Sequence, residues 1–191
     1  MSNVKVFQVG FNKCATRTLA QFFEENGYAS VHYLGGKLAR DMRDCKAAGT
    51  KPLIQWKRKV LFSDMELVSW DDLIESYRDF AFLDKWYPDA YFILNIRRME
   101  DWLLSRLRHE GGEYLMRYMA VYGKENPIDA LTQWQKDWQT HIPAVRSYFA
   151  DRPGKLLEFD IDHDGPEKIA AHFQGILDLD VAKWGHRGKT V

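Results

Sequence analysis

The chain has 191 residues, of which 46% are hydrophobic, enough for one domain with a sizeable core over residues 1–191. Lysine plus arginine and aspartate plus glutamate number 27 each, so the formal net charge is zero, which argues against general nucleic-acid binding. The two cysteines form neither a disulfide framework nor a metal cluster, and no basic leader or apolar run of membrane-spanning length is visible. We therefore expect a cytoplasmic protein with no nucleic-acid or membrane partner and no metal.

Apolar runs and helical spacing alternate along the chain. Short apolar runs predict β-strands at residues 4–9, 30–33, 91–96 and 155–160. Amphipathic spacing and terminal residues predict helices at residues 16–26, 37–48, 70–78, 99–108, 127–149 and 166–176, with Pro143 able to kink or split the fifth. Residues 51–64 are basic and then apolar and receive no assignment. Strands that alternate with helices indicate an α/β fold with three layers, in which a mostly parallel sheet is flanked by helices.

The loop after the first strand carries one lysine, Lys13, and then opens a helix at Thr16. Backbone N–H groups at a helix N-terminus, together with the helix dipole, favour an anion, so the loop is predicted to be a phosphate cradle. It is not the nucleotide-binding loop of ordinary kinases or ATPases, because alignment from Gly10 puts Ala15 where the second glycine belongs and Thr16 where the lysine belongs. The alternative is a solvated Lys13 with Thr16 as a simple N-cap.

A second motif follows the strand predicted at residues 91–96. Arg97 stands at the carboxyl end of that strand, the edge where open α/β sheets bind ligands, and Ser105 follows eight residues later in the next helix. A guanidinium fork and a hydroxyl group are suitable donors for a phosphate. The alternative is that Arg97 and Arg98 only pair with the acidic residues at 100 and 101.

Taken together, the two motifs resemble those of sulfotransferases that use 3′-phosphoadenosine 5′-phosphosulfate (PAPS). The first loop of that family reads roughly Lys-x-Gly-Thr-Thr/Arg-x, and here it reads Lys13-Cys14-Ala15-Thr16-Arg17-Thr18, with alanine in place of the glycine. The methyl group of Ala15 restricts φ and crowds an approaching phosphate. The family's second signature is an arginine at a strand end and a serine eight residues on, which Arg97 and Ser105 match. Residues 61–66, 83–88 and 152–159 are similar to a mostly bacterial branch of small sulfotransferase-like proteins.

This resemblance implies a P-loop NTPase-like fold of the sulfotransferase type. Residues 13–18 would hold the 5′-phosphate and the sulfuryl oxygens, and Arg97 and Ser105 would hold the 3′-phosphate. The reaction implied is transfer of a sulfuryl group from PAPS to a hydroxyl or amine of a small-molecule or carbohydrate acceptor, without a metal. Lys13 would stabilise the charge that develops on the leaving oxygen.

The general base that such a reaction needs is open between two residues. His32 ends the second predicted strand and has an ordinary pKa near neutrality, and Asp64 is the alternative, with Glu66 behind it. His32 could instead be a structural histidine. Two other functions remain open: an inactive nucleotide-binding or regulatory module of the same fold, and a P-loop-like kinase.

Three further expectations concern single residues. Trp102, Trp134 and Trp138 are predicted to pack in the core rather than to stack on an acceptor. The helix N-terminus and its neighbouring cations predict a lowered thiol pKa for Cys14. The tail Arg187-Gly188-Lys189 loosely resembles a basic loop that closes over the 3′-phosphate in cytosolic sulfotransferases, and loops such as residues 111–126 are expected to form the acceptor pocket.

Overall fold

A five-stranded parallel sheet lies at the centre of the molecule. The computed structural model describes residues 4–185. Its strands are β1 (Val6–Gln8), β2 (Ser30–His32), β3 (Leu61–Ser63), β4 (Glu66–Val68), β5 (Leu73–Glu75), β6 (Tyr91–Ile96) and β7 (Leu156–Asp160). The central sheet has the order β2-β3-β1-β6-β7 with every neighbouring pair parallel, while β4 and β5 form a separate antiparallel hairpin.

The helices connect these strands and cover both faces of the sheet. They are α1 (Thr16–Glu25), α2 (Lys37–Ala48), α3 (Phe80–Trp86), α4 (Met99–Leu107), α5 (Glu113–Tyr122), α6 (Pro127–Phe149) and α7 (Pro166–His172). Short 3-10 turns lie at Ile54–Trp56, Ser76–Arg78, His109–Gly112 and Val181–Lys183.

Alternate side chains of the strands enter two different cores. Phe7 of β1 belongs to a cluster that includes residues of α4 and α6, whereas its neighbour Val6 belongs to a cluster with residues of α1 and α7. Phe92 and Ile93 of β6 divide in the same way. A parallel sheet buried on both faces needs apolar residues on both, which explains the continuous apolar runs in the sequence. The predicted three-layer α/β fold is thereby confirmed.

Parallel pairing brings the carboxyl ends of the central strands to one edge. The residues paired near that edge include His32 of β2 with Ser63 of β3, and Gln8 of β1 with Ile93 of β6. The chain leaves β1 through Gly10, where a β-carbon would lie 2.2 Å from Asn95 Oδ1 and 2.3 Å from the Asn95 carbonyl oxygen. Only glycine fits there, and it lets the loop cross closely over β6.

The helix predicted over residues 70–78 is wrong. That segment contains the strand β5 and a 3-10 turn instead. Ser69 closes the hairpin turn, since its N–H donates to Asp72 O (2.9 Å) and its Oγ accepts from Asp72 N (3.0 Å). The pairing of Leu67 with Ile74 then outweighs the local helical spacing, because strand formation depends on a partner that the local sequence does not reveal.

Other boundaries differ less. Residues 111–126, expected to be a loop, are largely the helix α5, and α6 runs through Pro143 without being split. The last predicted helix ends at His172 rather than near residue 176. The strand predicted over 30–33 ends at His32, because Tyr33 adopts a φ of 58° that no strand residue can have.

The aromatic residues of the long helices pack as predicted. Trp102 and Trp134 are fully buried, with ring centroids 6.5 Å apart, and Trp138 stacks on Phe11 at 5.2 Å. None of the helices found between residues 4 and 185 combines the length and the apolar character needed to cross a bilayer. The basic tail Arg187-Gly188-Lys189 lies outside the described residues.

Candidate active site

The loop between β1 and α1 is held from beneath by its carbonyl groups. The carbonyl oxygens of residues 10–14 each accept a hydrogen bond from a side chain of the surrounding core, at 2.5–3.3 Å. The donors are Gln8 to residue 10, Asn95 to residues 11 and 14, Trp102 to residue 12 and Arg97 to residue 13. Five consecutive peptide groups therefore have their acceptors occupied by protein, which fixes the loop without any ligand.

Two residues of this loop have left-handed backbone conformations. Lys13 has φ 62° and Ala15 has φ 60°, with Cys14 between them. Alternation of left-handed and right-handed residues makes successive N–H groups converge into a concave nest that suits an anion. Ala15 is also the N-cap of α1, whose first turn adds N–H groups without intrahelical partners. The left-handed residues 13 and 15 and the start of α1 are thus features that the loop shares with known kinds of anion-binding loop.

Ala15 carries conformational strain that glycine would relieve. A β-carbon in the left-handed region costs about 1 kcal/mol, and Ala15 makes no side-chain cap contact in return. We expect Ala15→Gly to raise the free energy of unfolding by about 1 kcal/mol, measured by urea denaturation. The matched control is Ala20→Gly inside α1, which should lower it by about 1 kcal/mol. Destabilisation of both variants to the same extent would contradict the strain at Ala15.

His32 and Asp64, the two candidates for the general base, lie side by side. His32 Nε2 is 3.3 Å from Asp64 Oδ2 and 3.2 Å from Thr16 Oγ1. Burial lowers the pKa of His32, opposed by the charge of Asp64, and burial raises the pKa of Asp64, opposed by His32. Both side chains remain partly exposed, at 21% and 17%. The structure therefore joins the two alternatives into one pair beside the loop.

Lys13 meets a residue that the sequence did not single out. Its Nζ lies 3.3 Å from Nδ1 of His109, in the 3-10 turn that follows α4. Burial lowers the pKa of Lys13, and Arg17 lowers it further. His109 stands 96 residues after Lys13 in the chain and has no motif around it, so no local pattern could have predicted this contact.

Arg97 approaches the same loop from the end of β6. Its Nη1 donates to Lys13 O (3.3 Å) and its Nη2 lies 3.5 Å from Asp162 Oδ1. Its Nε is buried and has no hydrogen-bond partner within the described part of the chain. The side chain of Arg98 turns away instead and pairs with Asp101 at 3.2 Å. Pairing with the acidic start of α4 therefore applies to Arg98, while Arg97 faces the loop.

The other predicted site residues differ in how far they are buried. Thr16 and Thr18 are buried in the first turn of α1, Arg17 is exposed, and Ser105 is half-buried in the second turn of α4. Cys14 is fully buried, and burial raises the pKa of its thiol to about 12. The predicted lowering of that pKa is wrong, because loss of hydration outweighs the nearby positive charges.

A buried ionic network supports the loop from the core. Arg106 is fully buried, donates from Nε to Asn12 Oδ1 (2.9 Å), and places Nη2 at 3.2 Å from Glu66 Oε2. Tyr114 closes the ring, since its hydroxyl donates to Glu66 and accepts from Asn12 Nδ2 (2.8 Å). Burial raises the pKa of Glu66 to about 7, although Arg106 opposes the shift. Glu66 is thus a structural partner of the loop.

The family of this chain follows from a comparison with known protein families. A family model described as a sulfotransferase domain matches residues 5–111, more than half of the chain. The chain belongs to the sulfotransferase family. No curated protein matches it with significant similarity.

The matched part of this sulfotransferase runs from β1 through α4 to the turn after it. It therefore includes the loop between β1 and α1, the pair His32 and Asp64, and the residues Arg97, Ser105 and His109. In residues 4–185, no three histidine, cysteine, aspartate or glutamate side chains are grouped to hold a metal ion.

Proposed function

We propose that this sulfotransferase uses PAPS and transfers its sulfuryl group to a hydroxyl or amine of a small-molecule or carbohydrate acceptor. The observation that carries the proposal is the anion loop at residues 10–15, with its carbonyl groups bonded to the core and its left-handed residues at 13 and 15. Such a loop is suited to a phosphate or sulfate group. Family membership supports sulfuryl transfer in general.

The residues around the loop fit a nucleotide that carries phosphate groups on the 3′ and 5′ positions of its ribose. Residues 13–18 would hold the 5′-phosphate and the sulfuryl oxygens. Arg97 would hold the 3′-phosphate, and its partnerless buried Nε supports this role, since a buried donor without an acceptor is costly in the absence of a ligand. Ser105 would add one further hydrogen bond from α4. These donors bind phosphate without needing a metal.

PAPS supplies the activated sulfuryl group, and the chain supplies charge and a base. The Lys13 ammonium, carried by a loop residue, would stabilise the negative charge that develops on the leaving phosphate oxygen. With the ring proton on Nδ1, the lone pair of His32 Nε2 faces the Thr16 hydroxyl at 3.2 Å, and it would take the acceptor's proton in place of that hydrogen bond. Asp64 then stabilises the resulting imidazolium from 3.3 Å.

An open cavity borders His32. It has a volume of about 490 Å³ and is lined by polar and charged residues of α1 and β2, including Arg17 and His32. Its lining also includes Gln21 and the carboxylates Glu24 and Glu25.

Asp162 competes with the nucleotide for Arg97. We expect Asp162→Asn to tighten binding of 3′-phosphoadenosine 5′-phosphate by about threefold to tenfold, because a negative charge beside the 3′-phosphate is removed. The amide oxygen can still accept from Arg98 N, which now donates to Asp162 Oδ2 at 2.8 Å. Isothermal titration measures the effect, with Asp101→Asn as the control. Weaker binding by the Asp162 variant would mean that Asp162 orients Arg97 for the nucleotide.

Titration with nucleotides tests the proposed function. Metal-free 3′-phosphoadenosine 5′-phosphate should bind, ATP with Mg²⁺ should not, and both Lys13→Ala and Arg97→Ala should weaken the bisphosphate. Arg98→Ala is the matched control, because Arg98 follows Arg97 in the chain but its own side chain pairs with Asp101. Binding of ATP with Mg²⁺ alone would favour the kinase alternative, and binding of neither nucleotide would overturn the use of PAPS.

Turnover separates an enzyme from an inactive module. The protein is incubated with PAPS and a panel of phenols, sugars and amines. Formation of 3′-phosphoadenosine 5′-phosphate, measured by chromatography, is the expected result. Tight bisphosphate binding without product from any acceptor or from water would favour the inactive nucleotide-binding module instead.

A further inference from the structure

The side chain of Lys13 is long and flexible, yet its ammonium meets an acceptor in the protein. Nζ of Lys13 lies 3.3 Å from Nδ1 of His109. An ammonium has only donors, so Nδ1 accepts and the ring proton of His109 is on Nε2. Burial and the neighbouring Lys13 both lower the pKa of His109, which keeps the ring neutral and able to accept.

The backbone around His109 is built to present this ring. Glu110, Gly111 and Gly112 follow it with φ values of 52°, 65° and 94°, three left-handed residues in succession. A glutamate in that region costs about 1 kcal/mol, so the reversal between α4 and α5 holds an unfavourable conformation. The ring also packs against Tyr114, with centroids 5.2 Å apart, and Tyr114 bonds to the loop residue Asn12.

We propose that His109 is a positioning residue, which accepts a hydrogen bond from Lys13 through Nδ1 and directs the ammonium into the anion loop. Protonation of His109 would abolish the bond, because Nδ1 would become a donor and the imidazolium would repel the lysine. The expected consequence for catalysis rests on the proposed function, whereas the pairing itself does not.

Several charges face His109 besides Lys13. Glu110 raises its pKa, while Arg106 and Arg117 lower it. The charged and titratable groups on the packed elements are Lys13 in the loop, Arg106 on α4, Glu110 in the turn, and Tyr114 and Arg117 on α5. Burial is the main cause of the lowered pKa of His109 and the three cations add to it, so the neutral ring is favoured.

Imidazole ¹⁵N NMR on the full chain tests the pairing without any nucleotide. In the wild type, His109 should show an unprotonated Nδ1 and a titration below the ordinary histidine range. Lys13→Met should shift that titration upward, because a cation beside the ring is lost. His172, which ends α7 and is half-buried against Tyr91 of β6, is the internal control, and its titration should not change. A His109 titration that does not respond to Lys13→Met overturns the inference.

Two substitutions of His109 test the catalytic consequence. His109→Asn keeps an oxygen acceptor near the Nδ1 position, whereas His109→Leu removes it. We expect His109→Leu to lower kcat by about tenfold with a smaller change in KM, and His109→Asn to stay within about threefold of the wild type. Equal activity of the leucine variant and the wild type overturns the positioning role. Since NMR reads the pairing even if no turnover is found, failure of the proposed function and failure of this inference are distinguishable.

Discussion

Replacing Lys13 with methionine should lower the rate of sulfuryl transfer by about a hundredfold to a thousandfold. Methionine keeps the apolar stem of the side chain and removes only the charge. In the free protein the ammonium is half-buried beside His109, and burial lowers its pKa, so it sits where a developing negative charge is poorly screened by water. A cation in such a place stabilises the transition state more than the bound substrate.

The split between rate and affinity makes this prediction specific. Binding of 3′-phosphoadenosine 5′-phosphate should weaken by about tenfold or less, because the loop amides and Arg97 still hold the phosphates. Rates are measured as bisphosphate formed from PAPS with the best acceptor of the panel. Lys124→Met, at an exposed position between α5 and α6, is the control. Equal losses in affinity and in kcat/KM would show that Lys13 acts mainly in ground-state binding.

The loop between β1 and α1 and the place of Arg97 after β6 could be predicted because each depends on local order in the sequence. A short apolar run followed by a polar loop and an amphipathic segment defines a strand, a turn and a helix, and parallel strands bring their carboxyl ends to one edge. His32 is a candidate base because it ends the second predicted strand, whereas Asp64 ends a segment that received no assignment. The pairing of β2 with β3 explains why the two side chains are neighbours.

What the sequence could not supply are contacts between distant segments. His109 meets Lys13 across 96 residues, and Arg106 meets Glu66 across 40. A lone histidine at a helix end and an arginine on a helix ordinarily indicate solvated side chains, and only packing reveals that Arg106 is fully buried. The low thiol pKa predicted for Cys14 failed for the same reason, since burial is a property of the fold.

Replacing Arg106 with methionine should lower the free energy of unfolding by about 3–5 kcal/mol near neutral pH. The guanidinium is fully buried, with Nη2 3.2 Å from Glu66 Oε2. It also lies among aromatic rings, and its Cζ is 4.5 Å from the centroid of the Trp102 ring. Its removal leaves the Glu66 carboxylate buried without a cation and deprives Asn12 of a donor. The loss is measured by urea denaturation, with the exposed Arg98→Met as the control.

The cost of Arg106→Met should depend on pH in a defined direction. Burial raises the pKa of Glu66 to about 7, and loss of the Arg106 charge, which opposes this shift, raises it further. Between the pKa of Glu66 in the unfolded chain and its higher pKa in the folded variant, only the folded variant holds the proton. The free energy of unfolding is therefore greatest below the unfolded pKa and falls as pH rises through the folded pKa. Relative to the wild type, the variant should be less destabilised at about pH 5.5 than at about pH 8.

A double-mutant cycle identifies Glu66 as the origin of this dependence. Glu66→Gln keeps an acceptor for Tyr114 but cannot ionise, so Glu66→Gln combined with Arg106→Met should lose less stability than the sum of the two single variants. The pH dependence specific to Arg106→Met should disappear in the double variant, because no buried carboxylate remains to take up the proton. Additive losses that are the same at both pH values would mean that Glu66 and Arg106 do not act as an ion pair, and that Arg106 supports the anion loop only through Asn12.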